Sequence, residues 1–271
     1  MIRILLTSIT LGLMSFASSA PEYTAANIAI AKAPVVNTAS VSAGATMLAK
    51  KEAFENHVED LYDDMDLKRK GLTYDVFRKA VVGVQNFKRM KMISPSKSIL
   101  SVVDFTKSSS EKRLWIIDLK SKKVLFNTLV AHGRNTGQDK ATQFSNTPNS
   151  YMSSLGFYLT DAPYYGKHGL SLRMKGMDEG FNSNAMERAI VVHGADYVSE
   201  KFVKQNGRLG RSLGCPSIPK EISDEVINLI KNKSVFYIHG NDNKYTSRYL
   251  NDNEAIETYA MEAGETSTVT I

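Results

Sequence analysis

Residues 99–130 read ILSVVDFTKSSSEKRLWIIDLKSKKVLFNTLV. Three β-branched, apolar runs lie in this stretch, Ile99–Phe105, Leu114–Leu119 and Val124–Val130, parted by polar turns such as Lys120-Ser121-Lys122-Lys123. Runs of this length and make-up predict strands. Phe157–Thr160, Ala189–Val192 and Ser234–Ile238 predict three more, and Glu221–Asn232 reads as a helix. Gly-rich connections join them. The expectation is a mainly β domain over residues 96–240 with long functional loops.

Working outward, the pattern changes on both sides. Phe54, Val58, Leu61 and Met65 recur at helical spacing between acids, and Gly71 ends the pattern. Thr73 is a candidate N-cap, and Phe77, Ala80, Val81, Val84 and Phe87 mark a second helix before Pro95. Residues 48–95 are therefore expected to form a small α-helical hairpin, which makes the chain α+β overall. Asp60, Asp63, Asp64 and Asp66 invite a calcium reading, but a loop starting at Asp64 needs Gly sixth and has Arg69 there. They read as a solvated acidic face. Residues 241–271 turn polar and acidic, and predict a short helix and a loose tail.

The N-terminus has the layout of a secretory signal peptide over residues 1–20. Arg3 supplies a basic start, Ile4–Phe16 is mostly apolar, and Ser18-Ser19-Ala20 stands before Pro21. The apolar run is short against the ~20 residues of a membrane span. Residues 21–47, rich in Ala, Ser, Thr and Val, read as a flexible leader. Export to the periplasm or cell envelope is expected, without a stable membrane anchor. The only cysteine is Cys215, so no lipid-anchoring Cys follows the signal. The net charge of +6 is too small and dispersed to argue for nucleic acid.

A single thiol in an exported protein is either a buried small hydrophobe or a reactive group. Val191-Val192-His193-Gly194-Ala195 precedes Gly210-Arg211-Ser212-Leu213-Gly214-Cys215-Pro216. A thiol becomes a good nucleophile as the thiolate, and an imidazole can take its proton and return it to a leaving amine. Gly214 allows close backbone approach, and N–H groups of such a turn can face an oxyanion. On residues alone, this is a candidate Cys–His pair, with an inert buried thiol as the alternative. The other histidines lack close zinc-ligand spacing, so neither metal nor cofactor is expected.

The pattern His-Gly, then about twenty residues, then Gly-x-Ser-x-Gly-Cys resembles the signature of the L,D-transpeptidase catalytic domain, the YkuD-like family. The closer resemblance is to its murein subgroup with Arg-Ser-x-Gly-Cys-Pro. Arg113–Leu119, Leu129–Arg134, Phe144-Ser145-Asn146, Ser153–Tyr158 and Tyr165–Arg173 are similar as well. The resemblance implies a β-sandwich or barrel with short helices, with Cys215 as nucleophile, His193 as general base and the Gly194 carbonyl orienting that ring. Ser212, Leu213 and Gly214 fall on the turn before the nucleophile, where the N–H groups of Gly214 and Cys215 are oxyanion candidates. Tyr165, His168, His132, Arg208 and Arg211 are candidate substrate contacts. The broader family has Ser-His-Gly-Cys where Leu213 stands here, and often Arg or Asn where Ser217 stands. Arg208 and Arg211 are candidates for the missing cation, against a reading as solvated loop charges.

The activity implied is acyl transfer on peptidoglycan stem peptides by a monomer. Cys215 attacks the third residue, D-Ala leaves, and a stem-peptide amine takes the acyl group to give a 3–3 cross-link. Attack by water instead makes an L,D-carboxypeptidase. A non-catalytic murein-binding protein of the same fold is a further alternative. A papain-like protease is disfavoured, since its Cys precedes its His.

Overall fold

The computed structural model describes the backbone of residues 38–268 and the side chains of residues 46–264. The expected signal peptide, and the leader up to residue 37, lie outside the described residues. Of two compact units, the first, Met1–Val41, is described only where a helix begins at Thr38, and the second, Ser42–Ile271, holds the sheet and the motif residues. No helix among the described residues is long and apolar enough to cross a membrane.

Eight strands form one mixed sheet: β1 (Ile99–Asp104), β2 (Leu114–Asp118), β3 (Lys123–Thr128), β4 (Gly156–Gly166), β5 (Gly169–Gly176), β6 (Val191–Ala195), β7 (Ser217–Pro219) and β8 (Val235–His239). Their order is β3-β2-β1-β8-β4-β5-β6-β7. Only β1 with β8 and β6 with β7 run parallel. The sheet curls almost shut. Chain leaving β3 at one edge bridges to the other edge, Ala131 opposite Ser217 and Gly133 opposite Ser212. Among the described residues five α-helices complete the fold: α1 (Thr38–Asp64), α2 (Tyr74–Arg89), α3 (Glu200–Asn206), α4 (Lys220–Ile230) and α5 (Asp252–Thr268). The fold is α+β and mainly β, as expected.

Strands β1, β2 and β8 read as nearly continuous apolar runs because both faces of the sheet are covered there. Leu100, Val102, Trp115, Ile117, Phe157, Leu159, Val235 and Tyr237 face a core shared with α1, α2 and α5. Their neighbours Val103, Leu114, Ile116, Tyr158, Phe236 and Ile238 face a second core closed by Val226, Ile227 and Ile230 of α4. This alternation is the period-2 geometry of a strand. Trp115 is fully buried, and its Nε1 donates to Lys70 O at 3.0 Å.

Both expected N-terminal helices are present, and Gly71 with φ +78° turns the chain between them. Thr73 holds the N-cap position of α2 without a side-chain capping bond. The acidic C-terminal stretch forms a 17-residue helix instead of a short one. It docks through Ala255 and Ile256, with ion pairs Arg78–Asp252 at 3.0 Å and Lys88–Glu262 at 2.9 Å.

Gly83 of α2 lies where a β-carbon would stand 2.1 Å from Cε1 of the fully buried Phe157. Gly83→Ala therefore destabilises the protein by ~1–3 kcal/mol through overpacking, although alanine favours a helix by ~1 kcal/mol. Urea unfolding checks this, and a more stable variant would refute the close contact.

Candidate active site

The site is built on the parallel pair β6 and β7, whose register sets His193 opposite Ser217. Cys215 lies two residues before β7, on a turn that only glycine permits. Gly214 has φ +123°, and a β-carbon there would meet Met152 O at 2.8 Å. Ser212 locks this turn: its Oγ accepts from Gly214 N at 3.1 Å and donates to Cys215 O at 2.6 Å. The Gly214 N–H expected to face an oxyanion is thus already engaged within the turn.

His193 is 3% exposed. Its Nδ1 lies 2.9 Å from Gly194 O and its Nε2 lies 2.9 Å from Ser217 Oγ. A carbonyl only accepts, so Nδ1 carries the proton and, in the neutral ring, Nε2 is the basic atom. Ser217 then donates to Nε2 and accepts from Tyr197 OH at 3.0 Å. The hydrogen-bond chain fixes one tautomer. Burial is the largest influence on the ring and holds its pKa below the ordinary imidazole value of 6.5. Gly194 has a packing reason of its own, since a β-carbon would stand 2.5 Å from Ser223 Oγ of α4.

Cys215 is half-buried, and its Sγ is 3.8 Å from Ala189 O, a carbonyl turned toward it by a residue with φ +52°. Burial pushes the thiol pKa up, while the Val191 N–H and the charges of Arg188 and Lys167 pull it down. The resting thiol and imidazole are thus engaged elsewhere: sulfur with Ala189, Nε2 with Ser217.

The turn between β4 and β5 overhangs the site. His168 stacks on His193 with centroids 4.3 Å apart at 22°. Tyr165, 81% exposed, stands at the base of the same tip, and Leu213 is exposed at the rim. Arg211 donates to Arg134 O at 3.0 Å and Gly137 O at 3.1 Å, and Arg208 donates to Leu209 O at 2.7 Å. Arg211 thus ties the 134–137 loop to the motif turn, while Arg208 bonds the carbonyl of the residue that follows it.

His132 is not brought to the cleft. It is 0% exposed, pinned between Arg113 Nη2 at 2.8 Å and Gly137 O at 3.3 Å. Its place at a strand end beside Gly133 made it a candidate substrate contact, but the loop closing over β7 buries it. Arg188 is the residue that sequence reading missed. Half-buried, it reaches Met152 O at 2.5 Å and stands beside Gly214. No short motif marks it, only its place just ahead of the His193 strand. Two cavities of about 750 and 860 Å³ lie elsewhere, and neither is lined by Cys215 or His193.

The family model of the L,D-transpeptidase catalytic domain matches residues 68–239, more than half of the chain, which belongs to that family. Solved structures similar to it include an L,D-transpeptidase from Mycobacterium smegmatis, 12% identical over 53% of this chain and 59% of its own, TM-score 0.33. Another is the helical cell shape determining protein Pgp2 from Campylobacter jejuni, 10% identical over 68% and 65%, TM-score 0.35. A third is an L,D-transpeptidase from Stackebrandtia nassauensis, 14% identical over 60% and 69%, TM-score 0.32. The chain thus spans 59% of the length of the first of these proteins. No curated protein matches it.

Burial and the Arg113 charge lower the pKa of His132 from 6.5 to about 4. The unfolded chain takes up this proton first, so stability is lost as pH falls from about 6.5 toward 4. His132→Asn flattens that acid limb. Urea midpoints at pH 7 and pH 5 check it, and an equally steep loss in the variant refutes the assignment.

Proposed function

We propose that the chain is a peptidoglycan L,D-transpeptidase-type cysteine acyltransferase of the cell envelope. The observation that carries this reading is the parallel β6–β7 pair, which sets a single-tautomer imidazole on the strand next to a half-buried thiol. Family membership supplies the substrate class, peptidoglycan stem peptides. Export through residues 1–20 and action as a monomer belong to the same proposal, with residues 96–240 as the catalytic domain and 48–95 as its helical support.

In the proposed reaction, substrate binding draws Sγ from Ala189 O and Ser217 from Nε2. His193 takes the S–H proton as sulfur attacks the carbonyl of the third stem residue. The tetrahedral intermediate collapses, its C–N bond breaks, and His193 gives the proton to the departing D-Ala amine. A thioester on Cys215 remains. A stem-peptide amine then attacks it, losing its proton to His193, and sulfur leaves to regenerate the thiol. The product is a 3–3 cross-link. Water as acceptor gives a trimmed tripeptide.

Incubation of the full chain with a carbapenem is expected to add the drug's mass to Cys215, and Cys215→Ala to abolish both this adduct and any change in muropeptides. Intact-mass and muropeptide mass spectrometry decide it. Unmodified Cys215 and unaltered muropeptides together reject the enzyme and favour a murein-binding role.

The pKa directions set the pH response. The active pair is neutral His193 with protonated Cys215, and burial lowers the first below 6.5 and raises the second above 9.0. Acylation kcat/KM is therefore expected to hold a plateau from below pH 6.5 to above pH 9.0. A narrow bell inside those limits refutes this assignment of protonation states.

A further inference from the structure

Arg188 lies in the segment that leads into β6, beside the turn that carries Cys215. Its Nη1 donates to Ser145 O at 2.7 Å and to Ser154 Oγ. Its Nη2 donates to Ser150 Oγ at 3.3 Å and to Met152 O at 2.5 Å. All four terminal N–H groups are thus committed to neutral oxygens, and none remains to form a fork with a substrate carboxylate. Among the described residues no carboxylate pairs with this guanidinium. A half-buried charge without a counter-ion is costly.

The turn that carries the sulfur lies against this guanidinium. Nη2 stands 3.2 Å from the point where a β-carbon on Gly214 would lie, one residue before Cys215. The two groups whose negative forms favour the Arg188 charge are Tyr158 and Cys215. Tyr158 is fully buried with its phenol pKa pushed far up, so Cys215 is the one that ionises. Arg113 differs, since Asp139, Asp104 and Glu111 all act on it. Lys167 also acts on the thiol, but from an exposed hairpin tip where solvent screens it.

We propose that Arg188 is the fixed electrostatic partner of the Cys215 sulfur, a charge tied into the 145–154 loop whose counter-ion is the thiolate formed and expelled during acyl transfer. The proposal rests on the reading of Cys215 as nucleophile. It makes Arg188 a positioning residue that acts through charge, in a chain where Ser217 stands at the place the broader family often gives to Arg or Asn.

The single cysteine makes the test clean. The rate of iodoacetamide alkylation is followed against pH in the full chain, in Arg188→Gln, in Arg188→Lys and in Lys167→Gln as control. Arg188→Gln is expected to alkylate roughly tenfold more slowly at pH 7, with its profile displaced to alkaline pH. Arg188→Lys keeps the charge, so its profile stays near wild type, and Lys167→Gln moves little. A residue that only clamps the loop predicts another outcome, because lysine loses the clamp as glutamine does. The proposal is overturned by folded Arg188→Gln with the wild-type profile, or by Arg188→Lys displaced as far as Arg188→Gln. If Arg188→Gln does not fold, Arg188→Lys decides alone: a wild-type profile supports the charge role and a displaced one overturns it. Alkylation needs no stem peptide, so a wild-type chain inert to carbapenem and muropeptides sinks the proposed function while the Arg188 result still stands or falls by itself.

Discussion

β7 is only three residues long, and it is held on both edges. β6 pairs with it in parallel on one side, and the chain leaving β3 donates Ala131 N–H to Ser217 O at 2.8 Å on the other. A strand this short has little pairing energy of its own, so the closure of the sheet holds it. That closure also sets the geometry of the turn before it. A β-carbon on Gly133 would stand 2.5 Å from Tyr151 O and 3.0 Å from Gly214 Cα, so three backbone segments meet where side chains have no room. Cys215 inherits its position from this crowding, and His193 inherits its own from the register.

Much of this was legible in the sequence where residues are apolar or small. Strands β1 to β3 and β8 announced themselves as β-branched or apolar runs, and for β1, β2 and β8 both faces are buried. The far half of β4 and all of β5 were hidden. Asp161, Tyr165 and Lys167 are exposed, and in β5 the buried Leu170, Leu172 and Met174 are separated by Ser171 and Arg173 and form no continuous apolar run. β7 was hidden as well, being short and ending in a proline. α1 begins at Thr38, before the first apolar spacing, because an Ala- and Ser-rich stretch can be helical without an amphipathic stripe. The acidic tail looked loose because its partners are distant in sequence: Arg78, Lys88 and Arg89 of α2 attract Asp252, Glu262 and Glu254.

For the site the division is similar. His193, Gly194 and Cys215 were visible because they share two compact motifs. Gly194 proves doubly constrained, accepting from Nδ1 with its carbonyl and leaving space for Ser223 with its missing side chain. Tyr197 and Ser217 were not singled out for the base, since their link to Nε2 exists only through the β6–β7 register. His132 shows the converse error: a polar residue at a strand end resembles a site residue until the fold places a loop over it.

Sulfur and imidazole are each engaged elsewhere at rest, one on a strained carbonyl and the other under a serine hydroxyl. Such an arrangement favours a protonated, quiet thiol, since a standing thiolate invites oxidation. Burial enforces the same choice by raising the thiol pKa and lowering that of the ring. In the proposed reaction, ionisation needs a positive charge that is already in place, because reorienting one would add to the barrier. On that proposal a guanidinium held by four hydrogen bonds suits the need better than an exposed lysine. In the proposed arrangement the cation lies ahead of β6, and position 217 carries a hydroxyl. That hydroxyl bonds Nε2 of the ring whose tautomer the Gly194 carbonyl sets at Nδ1.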